Sequence, residues 1–114
     1  MQKAFLLPIL VLLFILTSCS SNNEDIVNPP VNNNITYTDN VKIIIDSKCL
    51  NCHTDPPING ARMALTTFQN VKDAVTDRGL IGRVKTGSMP SIGDALTAAQ
   101  VQTIEDWEAG GFKE

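Results

Sequence analysis

Residues 49–53 read Cys-Leu-Asn-Cys-His, two thiols separated by two residues and followed at once by the only histidine of the 114-residue chain. Three chemistries use such a cluster. A dithiol can cycle as a redox pair, thiolates and imidazole can hold a metal ion, and the two thiols can bond covalently to haem with the histidine at the iron. Other soft donors are few: the third cysteine is Cys19, and the methionines are Met1, Met63 and Met89.

A thioredoxin-type pair sits at the start of a helix after a strand, within an α/β sheet. Here Cys49 and Cys52 close a helix and no strand pattern surrounds them. A structural zinc site uses four protein ligands. Cys49, Cys52 and His53 offer three, Asp55 is the nearest fourth, and the adjacent Cys52 and His53 poorly suit one tetrahedral ion. Covalent haem attachment uses all three residues at this spacing. Each thiol adds across one vinyl group, and the histidine that follows falls under the iron. For the opposite iron position, Met89 stands in Thr86-Gly87-Ser88-Met89-Pro90, where glycine allows close approach to a flat ring and proline restricts the backbone. Met63 follows His53 closely enough to fall on the histidine side; as a plain core methionine, Met89 would leave the iron open.

The elements that must position these residues are helices. Thr36 or Thr38 caps a helix running toward Cys49, with Val41, Ile44, Ile45 and Cys49 at helical spacing. The β-branched run Ile43-Ile44-Ile45 also suits a strand, but the cap and flanking charges favour helix. A second helix starts at Thr66 or Thr67, with Phe68, Val71, Ala74 and Val75 on one face, and a short third covers Leu80 to Val84. The last opens on a Thr97/Gln100 capping box, continues through Val101, Ile104 and Trp107 or Glu108, and stops at Gly110-Gly111. Asp55 to Arg62 and Lys85 to Leu96 read as loops. Trp107 fits helix–helix core and packing on a porphyrin equally well. Arg83 and Lys85 read as solvated charges, with pairing to haem propionates as the alternative. Glu105, Asp106 and Glu108 read as a solvated helix face.

A net charge of −3 with no basic cluster argues against a nucleic-acid partner, and the length argues for one domain. Residues 1–18, MQKAFLLPILVLLFILTS, carry Lys3 and then an apolar run from Ala4 to Leu16, too short to span a bilayer comfortably and suited to a secretory signal. Leu16-Thr17-Ser18-Cys19 resembles the bacterial lipobox. That resemblance implies a lipoprotein signal peptide at 1–18, lipidation of Cys19 and attachment to a membrane of the cell envelope, facing the periplasm or at the cell surface. An ordinary signal cleaved near Ser18 is the alternative. Residues 19–35, rich in Ser, Asn and Pro, read as a disordered tether, about 50 Å long if fully extended. The remaining fold, about 80 residues with four aromatics, is small enough to need a staple, a metal or a cofactor.

Taken together, Tyr37-Thr38-Asp39-Asn40-Val41-Lys42, Cys49-Leu50-Asn51-Cys52-His53, Gly87-Ser88-Met89-Pro90, Leu96-Thr97-Ala98-Ala99-Gln100 and Asp106-Trp107-Glu108-Ala109-Gly110 resemble, in this order, a small class I cytochrome c of the bacterial lipoprotein type. The resemblance covers residues 36–112. It implies an all-α domain at 36–114 in which N- and C-terminal helices cross and the rest wraps one covalent haem c. It implies Cys49, Cys52, His53 and Met89 as cofactor-binding residues, with His53 and Met89 at the iron. A proline carbonyl in Asp55-Pro56-Pro57-Ile58 would accept the His53 Nδ1–H. The implied function is single-electron transfer between redox protein partners rather than enzymatic catalysis. Three alternatives stand beside it: a haem sensor or enzyme in which Met89 is displaced, a fixed subunit of a larger oxidoreductase complex, and a zinc or thiol-redox lipoprotein.

Overall fold

The computed structural model describes residues 30–114. The expected signal peptide, the lipidation residue Cys19 and the tether up to residue 29 lie outside the described residues. Within them the chain is helical and has no strand.

Thr36 opens the first helix. Its Oγ1 accepts the Asp39 N–H at 3.2 Å, and its own N–H donates to Asn40 Oδ1 at 2.9 Å. Tyr37–Val41 wind as a wide π-type turn that continues directly into α1, Lys42–Lys48. The isoleucine run settles its own ambiguity. Val41, Ile44 and Ile45 are buried while Ile43 is 68% exposed, a spacing of three and four that belongs to a helix. Thr67 caps α2, Phe68–Arg78, by accepting the Asn70 N–H. Gly79 then turns the chain with φ +64, in the left-handed region that glycine enters without steric cost, and α3, Leu80–Lys85, follows at once. The capping box forms at the start of α4, Ala98–Ala109: Thr97 Oγ1 accepts the Gln100 N–H, and Gln100 Oε1 accepts the Thr97 N–H.

Helix α4 lies against both the Tyr37–Val41 turn and α3. Trp107, Ile104, Ile45, Val41 and Val71 are sealed from solvent at the centre of the core. The Trp107 ring stands 4.8 Å from Phe112 and 5.7 Å from both Tyr37 and Phe68. Its Nε1–H donates to the Lys113 carbonyl at 2.7 Å, and the same oxygen accepts the Tyr37 N–H at 2.8 Å. Trp107 is therefore helix–helix core.

The acidic face of α4 differs from its expected form. Asp106 is only 7% exposed and accepts from Gln102 Nε2 at 3.0 Å, because it sits one turn from a glutamine that can cover it. Glu105 pairs with Lys85 at 2.8 Å, and of the three acids Glu108 alone is freely exposed.

Candidate functional site

Helix α1 delivers the Cys-Leu-Asn-Cys-His segment. The Cys49 N–H donates to the Ile45 carbonyl at 2.8 Å, and the Cys49 carbonyl accepts from Cys52 and His53 at 3.2 and 3.0 Å. The motif is thus wound as a further turn beyond the helix end, which brings both thiols and the imidazole to one cavity of about 850 Å³. That volume lies in the range of roughly 300–1,000 Å³ that holds a bound small molecule.

The next segment ties the motif down. The Ile58 N–H donates to the Cys52 carbonyl at 2.9 Å, and the Leu65 N–H to the His53 carbonyl at 2.8 Å. His53 Nδ1 lies 2.8 Å from the Met63 carbonyl. A carbonyl can only accept, so Nδ1 donates, which makes Nε2 the nitrogen with the lone pair in the neutral ring. This corrects the expectation of a proline partner: the Pro56 carbonyl accepts from Thr54 Oγ1 instead, and the chain reaches the imidazole only at residue 63.

Met89 lines the same cavity. Its loop folds back on the end of α3, where the Met89 N–H and the Ser88 hydroxyl both donate to the Arg83 carbonyl at 3.2 Å. Gly87, with φ +71, makes the reversal between them. Leu65, Ala74, Leu80 and Val84 supply an apolar wall. Lys48, Arg62, Arg78 and Arg83 stand along the cavity against the single acid Asp77, so its edge is electropositive although the chain is acidic. Arg83 belongs to this edge, with its Nε donating to the Arg78 carbonyl; Lys85 turns away to Glu105.

The four residues singled out in the sequence, Cys49, Cys52, His53 and Met89, line one cavity; sequence reasoning missed the wall, Arg62, Arg78 and the Met63 carbonyl. Every residue owns a carbonyl, so no side-chain type could have marked that one.

The three chemistries divide on this geometry. Burial pushes the Cys49 thiol up to about 11, which disfavours its thiolate. A structural zinc needs donors converging on one point, and no three His, Cys, Asp or Glu side chains do so among the described residues. Two thiols, an imidazole and a thioether line one apolar-walled cavity. No family model, curated protein or solved structure matches the chain.

Proposed function

We propose that this chain is a mono-haem c-type cytochrome that carries single electrons between redox proteins of the bacterial cell envelope. One observation carries the reading: Met89, distant in sequence from the 49–53 motif, lines one cavity with Cys49, Cys52 and His53. The residues present fit the group. The apolar wall suits a porphyrin face, and the electropositive edge suits its carboxylates.

Cys49 and Cys52 would hold haem through thioethers, and His53 Nε2 and the Met89 sulfur would be the iron ligands. When bound, the group supplies a one-electron Fe(III)/Fe(II) couple. The chain does the rest. The Met63 carbonyl would fix the tautomer and orientation of the His53 ring. The Arg83 carbonyl anchors the loop that carries Met89. Leu65, Ala74, Leu80 and Val84 exclude water. With His53 and Met89 both serving as ligands, the group would be suited to electron transfer rather than oxygen chemistry. Within the reading, the lipobox-like Leu16-Thr17-Ser18-Cys19 places a lipid anchor at Cys19.

The test is mass analysis of protein made in a host with cytochrome c maturation. The peptide containing residues 49–53 should be heavier by one haem, and labelled fatty acid should be incorporated in a Cys19-dependent manner. A peptide of unmodified mass would overturn the haem reading; an unlabelled chain would overturn the anchor alone.

A further inference from the structure

The two cysteines of the motif are supported differently. Cys49 ends α1, and its backbone is held by the helix itself. Cys52 lies beyond the helix end: its N–H still bonds to the Cys49 carbonyl, but its own carbonyl is held by a later turn. The Ala61 N–H closes that turn on the Ile58 carbonyl at 3.0 Å, and Ile58 is bonded to Cys52. Asn59 at its apex has φ +52, a left-handed conformation that asparagine adopts more readily than most residues. This conformation turns its side chain back on the motif. Asn59 Nδ2 lies 3.4 Å from the Asn51 carbonyl and 3.8 Å from Cys52 Sγ. Both Asn59 and Cys52 line the cavity.

We propose that Asn59 is a positioning residue for covalent attachment: its amide holds the Cys52 sulfur at the cavity so that the second thioether forms. This rests on the haem reading above. The step it serves is addition of the Cys52 S–H across a vinyl C=C. Sulfur bonds to one carbon, the hydrogen goes to the other, and no oxidant or reductant is consumed. Cys49, held by its own helix, needs no such help, so loss of the amide should affect one bond and not the other.

The test compares wild type with Asn59→Asp and Asn59→Gly after maturation. The first keeps side-chain size and tolerates the left-handed backbone but cannot donate; the second keeps the backbone and has no side chain. The readouts are the α-band position of the reduced pyridine derivative, which moves to the red when a vinyl group stays conjugated, and the fraction of Cys52 that can still be alkylated. Both variants should show a severalfold larger share of product joined through Cys49 alone, with Cys52 free. Two thioethers in the wild-type proportion would overturn the proposal, even if the yield of loaded protein fell, since lower yield alone is what a purely structural role predicts. A wild-type chain that acquires no haem would overturn the function reading and this inference together.

Discussion

The two ends of the α4 core behave differently. At one, Tyr37, Phe68, Trp107 and Phe112 close on each other, and the Lys113 carbonyl satisfies both the Trp107 indole and the Tyr37 amide. At the other, α1, α2, α3 and two loops surround a cavity of about 850 Å³. The first end is complete in protein alone. The second has apolar walls, and the sulfurs and imidazole of the motif line the same cavity. On the proposed reading, haem would complete the packing of this second end.

The largest expected effect breaks the cavity end. Cys49→Ala with Cys52→Ala should abolish covalent haem and leave a chain without a cooperative thermal transition. A haem-free double variant that still unfolds sharply would show that the aromatic end suffices. Next comes the complete end: Trp107→Ala in loaded protein should cost about 3–5 kcal/mol, the usual range for removing a buried large aromatic, read by denaturant unfolding. The same substitution should leave the iron ligands in place, as judged by an unchanged visible spectrum.

Met89→Ala sharpens the contrast from within the cavity. The thioethers should persist, the weak red band of a methionine–Fe(III) bond should disappear, and carbon monoxide should bind the reduced protein. Failure of added ligand to bind would mean that another group takes the Met89 position.

Much of the helical frame was legible because its signals are local. Thr67, Thr97 and Gln100 cap by bonds to neighbours three residues away, and Val41, Ile44 and Ile45 declare their face by spacing. The cluster at 49–53 was legible for the same reason. What was not legible depends on distant backbone. The Met63 carbonyl reaches His53 only because the loop turns through left-handed Asn59 and Gly60, and a carbonyl leaves no mark on side-chain identity. Asp106 looked solvated because its neighbours are acidic; Gln102 one turn earlier decides its burial. Lys85 and Arg83, alike in sequence, separate because α4 places Glu105 beside one and not the other.

Smaller effects test the frame that joins the two ends. Thr97→Ala removes the cap of α4 and should cost about 1 kcal/mol without altering the spectrum. Tyr37, the sole tyrosine, titrates above its ordinary value of 10.0, chiefly because it is buried. Since the folded value is raised, its contribution to stability is whole below pH 10.0 and is lost as pH rises through the folded value. Alkaline absorbance titration should therefore show phenolate appearing late and together with loss of helix. An ordinary, uncoupled titration would mean that the aromatic end is open.

The central claim is that the motif at 49–53 and Met89 enclose one covalently held haem. The most direct measurement is the reduced-minus-oxidised visible spectrum of matured protein, before and after acid–acetone extraction. A sharp c-type α band that stays with the protein through extraction is the predicted result. A band that leaves with the solvent, or no band at all, would contradict it.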